Sequence, residues 1–213
     1  MGNEDCDNPP GQSRMPFTRR TAIRGVGAMP APSAPTPRGS PKDKRAPTEP
    51  GALIQLDTMH LRPLPGVARR QFTTIDVISR VAVIVVRSQA TAGTATAFLD
   101  ELMDQMPVPV QAIQVDRGSE FMAGFETACQ AKGIALYVLP PRSPKLNGRV
   151  GWLNGTSRRE FWECYDGSLD LPTLQQALQD WEETYNTVRP HQALGYATPQ
   201  AFLRSKQYSD VSN

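Results

Sequence analysis

The chain has 213 residues, 39% of them hydrophobic and 7% aromatic, which is material for one ordinary domain with a buried core and not for several. Its 23 Lys+Arg against 21 Asp+Glu leave a formal charge of only +2, so bulk charge does not announce a nucleic-acid binder. Cys6, Cys129 and Cys164 form no CxxC pattern, which argues against a disulfide framework or a zinc site and for a reducing compartment. No run reaches the ~20 apolar residues of a membrane span. The N-terminus lacks the basic start and apolar stretch of a secretion signal, and Cys6 stands where a myristoylation motif after Gly2 wants Ser or Thr. The expectation is a soluble, intracellular protein with no membrane partner.

Residues 1–50 hold ten of the twenty prolines and carry eight Lys/Arg against five Asp/Glu, net +3, while 51–213 carry fifteen against sixteen, net −1. The first fifty residues therefore read as a disordered, mildly basic arm that builds no core. From Ala52 the pattern changes. Ala52 to Asp57, Gln71 to Ile78 and Val81 to Val86 read as strands, the last buried on both faces, and their short linkers favour an antiparallel meander. Thr91 to Met106 reads as a helix that Pro107 stops. Val110 to Val115 makes a fourth strand, Ser119 caps a helix over Glu120 to Lys132, and Gly133 ends it before a fifth strand from Ile134 to Leu139, with Tyr137 packed in it. Helices follow over about Asn147 to Cys164 and Leu171 to Thr187, and Thr198-Pro199 reads as the start of another, so the core is placed at 51–204 and a tail at 205–213. The order βββαβαβαα predicts an α/β domain with a five-stranded mixed sheet, three strands antiparallel and then two parallel, flanked by helices: a ribonuclease-H-like fold.

Asp57 closes the first predicted strand and Asp116 the fourth. Ligands of open α/β sheets bind at the carboxyl ends of strands. If these two strands are parallel neighbours, two carboxylates converge and require a hard cation, for which Mg2+ or Mn2+ suits.

Four segments in order, Val115-Asp-Arg-Gly-Ser-Glu-Phe121, Pro144-Lys-Leu-Asn-Gly-Arg-Val150, Tyr185-Asn-Thr-Val-Arg-Pro-His-Gln-Ala-Leu-Gly195 and Thr198-Pro-Gln-Ala-Phe202, closely resemble the integrase catalytic core of bacterial insertion-sequence transposases, the DDE family. The resemblance covers residues 52–203 and implies a metal-dependent polynucleotidyl transferase acting on DNA. It implies that Asp57 and Asp116 are the first two metal-binding catalytic acids, and that a Glu should follow Asn147-Gly-Arg-Val150 directly. Gly151 stands there, with 34 residues between it and Asp116, and no Asp or Glu occurs between Glu126 and Glu160. The frame is kept and one side chain is lost, so metal binding is expected to weaken and strand chemistry to be crippled while the fold persists. Glu120 is a poor substitute, because an acid in a first helical turn is explained by the helix dipole alone. Glu160 lies about 13 Å from Gly151 along a helix, too far to help. Arg117, beside Asp116, either weakens cation binding further or points to solvent.

Arg142, Lys145, Arg149, Arg158 and Arg159 fall in the acid-free stretch and suit phosphate contacts that position DNA without reading sequence. Trp152, next to Leu153, reads as a core residue. Trp181 and Tyr185 with Leu174 and Leu178 read as the buried stripe of the last long helix. His191 reads as a hydrogen-bonding latch. No helix-turn-helix pattern appears in residues 1–50, so targeting would come from another chain, a full-length transposase or further copies of this one. The leading expectation is a truncated, catalytically impaired transposase core. A non-catalytic module binding nucleic acid or a partner through the basic helix and arm, and a residual one-ion nuclease, are the alternatives.

Overall fold

A computed structural model describes residues 47–141 and 144–211. Five strands, β1 (Ile54–Leu64), β2 (Val67–Asp76), β3 (Ala82–Arg87), β4 (Ala112–Val115) and β5 (Ala135–Val138), form one sheet in the order β3-β2-β1-β4-β5. The first three pair antiparallel, and β4 then joins β1, and β5 joins β4, in parallel. The expected five-stranded mixed sheet is thus found in full. The helices are α1 (Ala92–Gln105), α2 (Gly124–Ala131), α3 (Gly148–Ser157), α4 (Leu171–Thr187) and α5 (Pro199–Val211). The predicted arm lies outside the described residues up to position 46.

The sheet has helices on both faces, and its edge strand β3 is apolar on both. Val83 and Val85 of β3 point into a core with Phe98, Leu99 and Leu102 of α1 and Phe125 of α2. Ala82, Ile84 and Val86, alternating with them, point into a second core with Val150 and Leu153 of α3 and Leu174, Leu178 and Tyr185 of α4. The α4 stripe is as the spacing predicts.

Three boundaries differ from the sequence reading. β1 and β2 are longer than expected and meet in a hairpin at Gly66, whose φ of +79° suits glycine. The helix expected from Glu120 begins only at Gly124. Asp116 Oδ1 accepts from the Gly118 amide, and this side-chain turn diverts the chain into a single 3-10 turn over Ser119–Phe121 first. At its other end Gly133, at φ +70°, terminates the helix as expected. Helix α3 does run on toward Cys164, but through a π-helical turn over Arg158–Trp162.

Candidate metal and DNA site

Gln55 of β1 and Gln114 of β4 are paired in the parallel ladder. Side chains two residues apart on a strand share a face, so Asp57 and Asp116, each two residues further on, project from the same side of neighbouring strands. Asp57 does not close β1, because that strand continues to Leu64 against β2. It is β4 that ends, at Val115, and the sheet steps down there so that both carboxylates sit at the mouth of the step.

The two glutamines fix the third wall. Both donate to the carbonyl of Leu146, at 2.8 and 2.7 Å, and Gln55 Oε1 accepts from the Arg149 and Val150 amides at 3.1 and 3.2 Å. Helix α3 has no side-chain cap of its own, since Asn147 makes none, so a glutamine from the sheet caps it instead. This seats the first turn of α3 over the step. Asn154, one turn on from Gly151, donates from Nδ2 to Asp57 Oδ2 at 2.9 Å. Residues three apart share a helix face, so Gly151 faces the same way as Asn154. A Cβ at Gly151 would meet nothing within 4 Å.

Asp57 is half-buried, its Oδ1 accepting from the Thr58 amide at 2.9 Å, and Asp116 is exposed. Burial first, then the negative charge of Asp116, push the Asp57 carboxyl above its ordinary range, with Glu120 adding to the effect. These hard oxygen donors suit a divalent cation, whose charge would reverse that penalty. The amide Oδ1 of Asn154, buried beside them, has no hydrogen-bond partner among the described residues. No group of three His, Cys, Asp or Glu capable of holding a metal occurs among the described residues, so the donor set fits an ion with two carboxylates and not three.

Of the basic residues picked from sequence, Arg142 lies outside the described residues, as does the side chain of Lys145. Arg149, Arg158 and Arg159 are exposed, but Arg158 stands nine residues beyond Arg149, about 13 Å along the helix. Arg149 instead neighbours Arg80, from the β2–β3 turn, and Arg189, after α4, neither of which the sequence singled out. Trp152 is a correction: it is 48% exposed, with the Arg189 guanidinium 5.6 Å over its ring and His191 edge-on at 6.1 Å. Glu160 is bound to Arg189 in an ion pair, away from the carboxylates. Of the overlooked residues Gln55, Gln114 and Asn154, the two glutamines had one visible signal, the repeated pattern Gln-apolar-Asp at 55–57 and 114–116.

Two family models, each described as integrase core domain, match residues 47–144 and 132–199, and together they run without a gap from 47 to 199. A Xanthomonas euvesicatoria protein described as the insertion element IS476 uncharacterized 39.2 kDa protein is 26% identical over 147 residues, which are 66% of this chain and 41% of that protein. The chain spans less than half the length of the curated insertion-element relatives it matches first. Among solved structures, the intasome of simian T-cell lymphotropic virus, in complex with a PP2A regulatory subunit, superposes with a TM-score of 0.64 at 21% identity, covering 81% of this chain and 60% of that one. The HTLV-2 integrase catalytic core domain in complex with magnesium gives 0.57 at 18% identity, covering 72% of this chain and 97% of that one. A ribonuclease-H-like sheet, its two carboxylates on neighbouring strands and the continuous match from 47 to 199 lead to one conclusion: the chain belongs to the DDE integrase and transposase family and carries its catalytic core domain.

Proposed function

We propose that this core acts on DNA in transposition or integration, and that its own strand-transfer chemistry is impaired at one position, Gly151. The observation that carries this reading is the step in the sheet, where Asp57 and Asp116 face a helix whose open position holds no side chain. Asp57 and Asp116 would hold the divalent ion, Mg2+ or Mn2+, which when bound activates the attacking oxygen of water or a DNA 3′-hydroxyl and stabilises the leaving oxygen. The chain's own residues do the positioning. Asn154 and the Thr58 amide fix both Asp57 oxygens, the Gly118 amide fixes one Asp116 oxygen, and Gln55 with Gln114 locks α3 in place above them. Arg142, Lys145, Arg149, Arg158 and Arg159 are proposed to contact DNA phosphates. A full-length partner or second copy is proposed to supply targeting.

Plasmid nicking in Mn2+ tests this. The chain as it stands is compared with Gly151→Glu and with Gly151→Glu plus Asp116→Ala. Nicking by the first variant alone is the expected result. Equal, Asp116-dependent nicking by the unaltered chain would sink the impaired reading. Silence from all three, with salt-dependent and Mg2+-independent DNA binding, would leave a binding module in its place.

A further inference from the structure

Apart from the carboxylate step, three elements line a cleft of about 360 Å³. The turn between β2 and β3 contributes Ile75 and Arg80, the start of α3 contributes Arg149 and Trp152, and the segment after α4 contributes Arg189 and His191. Like charges have been brought together here. Arg189 has Glu160 as a partner, but neither Arg80 nor Arg149 has a carboxylate within ion-pair distance among the described residues. Burial, and then the neighbouring charge of Arg149, make the Arg80 guanidinium harder to keep charged than an ordinary arginine. Arg80 is also held at φ +64°, a left-handed conformation that L side chains rarely adopt. Asp76 enforces it, since its carboxylate takes the Ser79 amide and hydroxyl while its carbonyl takes the Arg80 amide at 3.0 Å.

The second observation is independent of the arginines. His191 is only 7% exposed, lines the cleft, and its Nε2 is buried with no hydrogen-bond partner among the described residues. When protonated, the ring presents an Nε2–H donor that, with the guanidinium forks, is complementary to a tetrahedral oxyanion. We propose that Arg80, Arg149, Arg189 and His191 form a phosphate-binding pocket, distinct from the carboxylate site, that seats one backbone phosphate of the DNA. This rests on the reading that the core handles DNA. The groups facing His191 are Arg80 from the turn, Arg149 from α3, Tyr185 and Arg189 from α4 and its end, and Glu160 through its pair with Arg189. Burial and the Arg189 and Arg80 charges favour the neutral ring, and a hydrogen bond with the Tyr185 backbone opposes them. A bound phosphate therefore takes up a proton at His191 and binds more tightly as pH falls.

The chain has two histidines, His60 and His191, so ring NMR resonances of the full protein, assigned with His60→Gln, report the pocket directly. Inorganic phosphate is titrated against chloride at matched ionic strength. The expected result is a saturable shift of His191 alone, with its titration midpoint moved to higher pH. Arg80→Gln and, separately, Arg149→Gln, each checked for native circular dichroism, should weaken it tenfold or more. A shift no smaller in both variants, or none beyond that of His60, would overturn the pocket. In the second arm a DNA duplex should move the same resonance, and Arg80→Gln should lower the salt slope of binding by about one. A duplex that binds while His191 stays unmoved overturns DNA as the source of the phosphate. A protein that binds no duplex sinks the proposed function, whereas a His191 shift with inorganic phosphate in that sample upholds the pocket for free phosphate.

Discussion

Two charged carboxylates placed side by side in a partly buried step oppose the fold that holds them. The Asp57 pKa in the folded chain lies above its unfolded value of 3.8, so the folded state binds the extra proton and stability falls as pH rises through that interval. Asp57→Asn removes the charge and keeps one of the two oxygens that accept from the Thr58 amide and from Asn154. It should raise the melting temperature in divalent-free buffer at neutral pH, lose that advantage in acid below the unfolded value, and show less stabilisation by Mg2+ than the parent chain. Gly151 offers a separate gain. A glycine inside a helix costs up to ~1 kcal/mol relative to alanine, and the added Cβ meets open space, so Gly151→Ala should melt about 2–4 °C higher without gaining nicking activity. A lower melting temperature would show that the backbone there needs glycine.

The elements explain why some of these residues were legible in the sequence and others were not. β3 is buried on both faces and announced itself as an unbroken β-branched run, and Gly133 and Thr198-Pro199 marked helix ends by local chemistry alone. Asp57 and Asp116 were visible by type and spacing. Gln55 and Gln114 were not, because their meaning depends on the register that pairs them and on Leu146, 91 and 32 residues away in sequence. Trp152 misled for the same reason: its neighbours Arg189 and His191 arrive from beyond α4. Gln55→Ala strips the cap from α3 and a donor from Leu146, a loss of about 1–3 kcal/mol by the usual cost of an unsatisfied buried group. Faster amide hydrogen exchange at Arg149 and Val150, with β5 unchanged, is the expected readout.

At the scale of the whole molecule, β3 is an edge strand, and unpaired edges invite pairing with other chains. Helix α4 closes this one with side chains. The Ala82, Ile84 and Val86 amides donate to Asn186 Oδ1, Glu182 Oε2 and Gln175 Oε1, and the Asn186 and Gln175 amides donate back to carbonyls of Ala82 and Ile84. Burial pushes the Glu182 carboxyl up to about 8, well above its ordinary 4.5, so the fold loses stability as pH rises between those values. Glu182→Gln, which keeps the acceptor and cannot ionise, should flatten the decline in melting temperature across that range. A fragment ending at Tyr165 lacks the guard entirely and is expected to self-associate into thioflavin-positive aggregates, where the full chain stays dispersed. The overall topology was readable from element order because each strand and helix declared its own period; this seam was not, since three polar residues at 175, 182 and 186 look like an ordinary wet helix face.

The seam joins parts of the chain that are made far apart in time. Ile84 and Glu182 are 98 residues apart, and at a synthesis rate of roughly 5–20 residues per second the edge of β3 waits on the order of 5–20 seconds for its cover. During that interval the nascent sheet is the most vulnerable form of the protein. Slow codons between positions 88 and 171 would lengthen that exposure, and a chaperone that shelters the emerging strand would shorten it.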